Sequence, residues 1–254
     1  MKMIWRRLRN QYYQRHLRRK DLPEVVRNYL QGFNHFKFDQ PITDTRFVIF
    51  DTETTGLDVR KGHRLVSISA IRLEEGRIDL SKAFHEIIDP DRDIPSVSAV
   101  IHEILPRMVN GKPTIDSILP KFIAYIGPSI LVAHHEWLDM SFLNREMCRL
   151  YGIPIQNIVV DTAVLDRALL AKKTSASMTA TMKIDSTLGA LAERYHVKVE
   201  EQHSSFWDAL ATAQIFLQMI KEAQRLGILC LKDFLKLAHT PPSPGLFKPE
   251  TCSA

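Results

Sequence analysis

Asp51 and Glu53 are the first residues whose type and spacing suggest chemistry. They lie in Asp51-Thr-Glu53-Thr-Thr-Gly56, directly after the apolar run Phe47-Val-Ile-Phe50. Alternate side chains of a strand share a face, so two carboxylates two residues apart project the same way. Like charges held so close destabilise each other unless a cation sits between them. Thr54, Thr55 and Gly56 then let the backbone turn closely past whatever such cations hold. Taken alone, the Asp-x-Glu pair is read more readily as a strand ending in a polar turn.

Three further residues widen the choice. Asp139 follows the apolar run Leu131-Val-Ala133 in LVAHHEWLD and would fall in the first turn of a helix, where the helix dipole favours an acid. His203 and Asp208 occur in His-Ser-Ser-Phe-Trp-Asp. Ser205, three residues before Asp208, fits a capping box, with His203 in the loop ahead of it. Each position has an ordinary structural role. Together, however, the four acids all fall at strand ends or helix starts, which gather at one edge of an open α/β sheet, where ligands bind. Carboxylates without a cysteine cluster suit hard cations such as Mg²⁺ or Mn²⁺. A histidine among them supplies a proton acceptor near neutral pH.

The elements that must position these residues follow from periodicity. Residues 46–51 predict a buried strand, 65–73 a second and 83–88 a third, with a turn at Glu74-Glu-Gly76. A mostly helical stretch begins at Pro95 and breaks at Gly111-Lys-Pro113. A short strand at 130–133, a helix at 138–151 and a strand at 158–160 come next. Helices are expected at 186–196, 205–224 and 231–238, and a loop over 172–185. Strands alternating with helices predict an α/β layer fold. Residues 1–40 predict a basic helical N-terminal extension, 41–238 the main domain and 239–254 a disordered proline-rich tail.

Composition sets the outer limits. The chain has 254 residues, 45% of them hydrophobic and 25% charged, as in a soluble globular protein. No apolar run is long enough to span a bilayer, and no signal-peptide core is visible. Cys148, Cys230 and Cys252 are scattered, suggesting neither a metal site nor a disulfide framework, and so a reducing, cytoplasmic setting. The net charge of +5 is concentrated early: residues 1–40 hold ten Lys/Arg against three acids. Such a segment suits nucleic acid or an acidic surface, such as that of a protein partner; a solvated helix is an equal alternative.

The three motifs, D-x-E-T-T-G, then H-x-x-x-x-D after a strand, then a late H-x-x-x-x-D, resemble in order and spacing those of the DEDDh exonucleases. That family includes the proofreading epsilon subunit of bacterial DNA polymerase III, RNase T and oligoribonuclease. The resemblance covers roughly residues 45–220. It implies an RNase H-like mixed five-stranded sheet flanked by helices and two divalent cations, Mg²⁺ or Mn²⁺, held by Asp51, Glu53, Asp139 and Asp208. By the same resemblance His203 is the general base, and Thr54, Thr55, Gly56 and Leu57 hold the terminal nucleotide. The expected activity is 3′–5′ release of 5′-mononucleotides from single-stranded DNA, with RNA as the alternative. A binding module without catalysis would be expected to lack a ligand or the histidine, and all five are present. The second motif departs from the common H-N-A-x-F-D, with His135 and Leu138 at altered positions. Asp161 and Asp166 fall on no motif position and are expected as a helix start and a solvated helix face.

Overall fold

Phe47–Thr54 forms β1, the central strand of the fold. Its first four residues are fully buried and alternate between two cores: Val48 and Phe50 face one, Phe47 and Ile49 the other. Each such side chain contributes about 1.5–3 kcal/mol on burial, so the strand carrying Asp51 and Glu53 is firmly seated. The structure is a computed structural model describing residues 22–173, 184–199 and 203–238. The basic stretch before residue 22, most of the 172–185 loop and the 239–254 tail lie outside the described residues.

The sheet has five strands in the order β3-β2-β1-β4-β5: β2 is Leu65–Glu74, β3 Arg77–Ile87, β4 Ile130–Ala133 and β5 Val159–Asp161. β2 pairs antiparallel with β1 and β3, whereas β4 and β5 run parallel to β1. This is the mixed five-stranded sheet that the resemblance implies. The β2–β3 turn places Glu75 and Gly76 at φ of 52° and 70°, the left-handed pair a tight hairpin needs. β3 starts earlier than expected, at Arg77, because its outer half is a polar edge strand with no apolar run to betray it.

In chain order the helices are α1 (Glu24–Gly32), α2 (Ser96–His102), α3 (Pro106–Val109), α4 (Ile115–Ile126), α5 (Trp137–Tyr151), α6 (Thr162–Lys173), α7 (Leu188–Arg194), α8 (Ser205–Arg225) and α9 (Leu231–Leu237). α1, α4 and α5 cover the Val48/Phe50 face; α6, α7, α8 and α9 cover the Phe47/Ile49 face. α1 is built into the first core: Val26 and Leu30 are buried, and the Tyr29 hydroxyl donates to Asn157 Oδ1 at 2.6 Å and accepts from the Gln156 N–H at 2.7 Å. No helix among the described residues is long and apolar enough to cross a membrane.

Two expectations need correction. Asp166 is not on a solvated face: it is fully buried, pairs with Arg194 and accepts from the Tyr195 hydroxyl at 3.0 Å. Ser205 is not a capping residue. The helix begins at Ser205 after Ser204, and the Ser205 hydroxyl turns into the sheet instead. Among the described cysteines, Cys230 is a free thiol.

Candidate active site

β4 pairs with β1 only along Phe47–Ile49, so beyond Ile49 that edge of β1 is open. The three acids Asp51, Glu53 and Asp208 meet near this end of the sheet, with one carboxylate oxygen from each lying within 4.8 Å of the others. Asp51 and Glu53 extend the row begun by Phe47 and Ile49, and Asp208 reaches them from the first turn of α8. The sequence therefore places these side chains by two simple devices, a strand's two-residue period and a helix start packed on the same face.

Asp139 approaches from the other side, in the first turn of α5. It is buried, and its Oδ1 accepts from the Thr52 N–H at 3.0 Å and the Thr52 hydroxyl at 2.5 Å. In this geometry Asp139 does not join the three converging carboxylates. Its charge still reaches them, raising the pKa of both Asp51 and Glu53.

The electrostatics are those of crowded anions. Desolvation, then Asp139, Glu53 and Asp208, push Asp51 well above the usual carboxylate range. Desolvation, then Asp208 and Asp139, raise Glu53 to about 8. Burial raises Asp139 to about 7 against the two Thr52 hydrogen bonds, which favour its charged form. Asp208 is raised by burial and held back by the His203 N–H and the His203 charge. Its Oδ2 accepts from the His203 N–H at 3.0 Å, while Oδ1 is buried with no hydrogen-bond partner. A buried carboxylate oxygen without a donor is costly, and a cation among these oxygens would both satisfy it and relieve the repulsion. The residues present thus fit a hard divalent cation.

His203 directly precedes the α8 N-cap at φ 65°, exposed beside Asp208. The Thr54–Leu57 turn is braced from several elements. The Thr55 N–H donates to Arg64 O at 2.8 Å, the Arg64 N–H to Thr55 Oγ1 at 3.0 Å, and Ser98 Oγ to Thr55 O at 3.0 Å. His63 Nδ1 lies 3.2 Å from Thr55 Oγ1, and its ring packs on Gly56, where a Cβ would come within 2.5 Å of Cε1. Leu57, at 71% exposed, projects from the turn into solvent. Arg145 donates to Val59 O and His63 O, both at 3.0 Å, fixing the loop that follows. His63, Ser98 and Arg145 had no signal in the sequence, since Ser98 and Arg145 act on backbone carbonyls far away in the chain and His63 on the Thr55 hydroxyl and the Gly56 backbone, outside any motif.

Asp161 is the last residue of β5 and accepts from the Ala163 N–H at 2.8 Å, so it does start the next helix. It also accepts from the His135 and Glu136 N–H groups, at 3.3 and 3.2 Å, tying down the loop before α5. Burial, then the neighbouring His135, lower His134 to about 4, leaving it a neutral imidazole whose Nδ1 lies 2.9 Å from Thr162 Oγ1.

A mixed sheet with acids gathered at the end of its central strand defines an acid-lined α/β enzyme domain. The family described as "RNase_T: Exonuclease" matches residues 48–216, and the chain belongs to that family of exonucleases, which are hydrolases. It is 28% identical over 233 residues to a "DNA polymerase III PolC-type" from Thermotoga petrophila, covering 92% of this chain and 15% of that protein. It is 31% identical over 192 residues to a "DNA polymerase III subunit epsilon-like protein" from Rhodobacter capsulatus, covering 75% and 26%. The chain thus spans about a quarter or less of these relatives. Among solved structures, Exonuclease X in complex with 5′ overhanging duplex DNA aligns with a TM-score of 0.52 at 22% identity, covering 70% of this chain and 93% of that one. The nuclease domain of 3′hExo, a DEDDh family member bound to rAMP, aligns at 0.55 and 16%, covering 72% and 95%. At these identities the likeness establishes the fold.

Proposed function

We propose that the chain is a 3′–5′ exonuclease that uses two divalent cations, Mg²⁺ or Mn²⁺, and releases 5′-mononucleotides from single-stranded nucleic acid, with DNA favoured. The observation that carries this reading is the meeting of Asp51, Glu53 and Asp208, with Asp208 Oδ1 left unpartnered. These three carboxylates and Asp139 would hold the cations, which when bound supply positive charge to acidify water and offset charge on the phosphate. A ring nitrogen of His203 accepts a proton as the water oxygen bonds to phosphorus. The bond to the 3′ oxygen of the preceding nucleotide breaks, and that oxygen leaves as a hydroxyl. The backbone of Thr54, Thr55 and Gly56 approaches the terminal sugar, and exposed Leu57 lies beneath its base. A terminal base must be unstacked to settle there, which favours single strands.

RNA is the second reading, favoured by the structural neighbour bound to rAMP. A polymerase partner, reached through the basic stretch in residues 1–40, is supported by the relatives' names and by that charge. The deciding experiment compares matched 5′-labelled DNA and RNA strands with Mg²⁺ and with EDTA. Metal-dependent shortening, faster on DNA, is expected. Faster shortening of RNA would reverse the substrate assignment, and digestion undiminished by EDTA would remove the cations from it.

A further inference from the structure

On the sheet face that carries α8, the β1–β2 rungs run Phe47 opposite Leu73, Ile49 opposite Ile71, Asp51 opposite Ser69 and Glu53 opposite Ser67. α8 changes character in step, from Phe216, Ala213 and Ala209 in the apolar core to Ser205 at its first residue. The seam between helix and sheet is therefore apolar up to the last rung before the carboxylates. From there it becomes hydroxyl against hydroxyl.

These hydroxyls form one buried chain. Ser205 Oγ lies 2.8 Å from Ser67 Oγ and 2.7 Å from Ser69 Oγ, and Ser69 Oγ lies 2.8 Å from His85 Nδ1. Ser67 and Ser69 are fully buried and Ser205 nearly so. The His85 ring also packs edge-on against Phe206, the next residue of α8, at a centroid distance of 6.0 Å. Burying three hydroxyls is unfavourable unless they bond one another, and alanines would fill a helix–sheet seam without that cost. What alanines lack is direction. Apolar packing resists separation but tolerates sliding, whereas hydrogen bonds hold their heavy atoms within a narrow range of about 2.5–3.0 Å. Two bonds from one Oγ to strand residues two apart fix the start of α8 along β2 as well as above it.

We propose that Ser205, gripped by Ser67 and Ser69, is a positioning residue that locks the first turn of α8 to the sheet, so that Asp208 and His203 stand at a fixed place over Asp51 and Glu53. The inference rests on the reading of this site as a divalent-cation hydrolase. Asp208 lies three residues after Ser205 and His203 two before it, so any shift at Ser205 is passed to both.

The test compares the parent chain with Ser205→Ala and, should that variant fold poorly, Ser67→Ala at the other end of the pair. Mn²⁺ affinity is measured without nucleic acid by electron paramagnetic resonance, kcat and KM with an oligonucleotide, and melting without metal. A misplaced group commonly costs on the order of 100-fold in rate. The inference therefore expects kcat of the folded protein to fall at least about tenfold and Mn²⁺ to bind at least about fivefold more weakly with KM barely changed, while melting falls only modestly, because Ser205→Ala leaves the buried Ser67 hydroxyl without its partner. Parent-like kcat and Mn²⁺ affinity in the folded variant would overturn it, as would losses that only track the unfolded fraction. A parent chain that neither binds Mn²⁺ nor digests the oligonucleotide would instead refute the function itself, so the two failures are distinguishable.

Discussion

Asp139 and Thr52 are joined twice through one oxygen: Asp139 Oδ1 accepts both the backbone N–H of Thr52 and its hydroxyl. Thr52 lies on the opposite face of β1 from Asp51 and Glu53. The strand that presents two of the acids thus also grips Asp139 with the residue between them. Both bonds favour the charged form of Asp139, against a burial that raises its pKa to about 7. In Thr52→Val the hydroxyl donor is lost, so Asp139 should titrate higher still. Carboxyl NMR titration of the chain in EDTA checks this, and an unchanged or lower Asp139 pKa would contradict it. A stability loss of about 1–3 kcal/mol should accompany the change.

Crowding of the acids gives a second expectation, about pH. Glu53 and Asp139 titrate near 8 and 7 in the folded chain, above their values of 4.5 and 3.8 when unperturbed. The folded state therefore binds more protons than the unfolded state between these limits. The associated stability is fully present below about pH 4 and is lost as pH rises through 7 to 8. Without metal, the chain should melt at progressively lower temperature over that range. Mg²⁺ favours the ionised acids, so it should restore stability at pH 8 and do little at pH 5. At a hundredfold excess over Kd the gain is about 2.7 kcal/mol, roughly 5–10 °C for a domain of this size. Equal Mg²⁺ shifts at both pH values, measured by calorimetry, would count against the site.

Gly56 makes a steric prediction. Its φ of 153° is one that side-chain-bearing residues rarely adopt, and a Cβ there would meet the His63 ring at 2.5 Å. Gly56→Ala should displace the turn that bears Leu57 and raise the oligonucleotide KM by about tenfold or more. Mn²⁺ binding should stay near the parent's. Adding His63→Ala should recover only part of the loss, because the backbone strain remains. Full recovery in the double variant would show that only the clash matters.

Asp166 and Arg194 supply a test of stability apart from the chemistry. Asp166 is fully buried, while the Arg194 side chain is 28% exposed. Breaking a buried pair from one side costs about 3–5 kcal/mol, and the partial exposure of Arg194 places Asp166→Asn near the lower end. Melting should fall by roughly 6–12 °C, with kcat of the folded protein unchanged. A fall in kcat without a fall in melting temperature would mean that Asp166 acts in the site.

The central strand and its two acids were legible because a strand's period and an apolar run are both local signals. The length of β3 was not, since its outer half is polar and exposed. Asp166 reads as a solvated helix position because its partners, Arg194 and Tyr195, lie nearly thirty residues downstream and nothing in their sequence marks the pairing. Ser205 reads as the cap in sequence because Asp208 follows it at capping-box spacing, although Ser204 stands directly before it. Only the serines of β2, more than 130 residues earlier, separate the two. The braces His63, Ser98 and Arg145 act on carbonyl and hydroxyl groups rather than through a motif.

In the proposed reaction the acid cluster removes 3′-terminal nucleotides in a metal-dependent way. Its most direct measurement is the release of label from a 3′-end-labelled oligonucleotide by the parent chain and by Asp51→Ala, each with Mg²⁺. Labelled 5′-mononucleotide is expected from the parent, with a loss of at least about 1,000-fold in the variant, roughly 4 kcal/mol of lost transition-state stabilisation. Undiminished release by correctly folded Asp51→Ala, or release by the parent of fragments longer than one nucleotide, would contradict it.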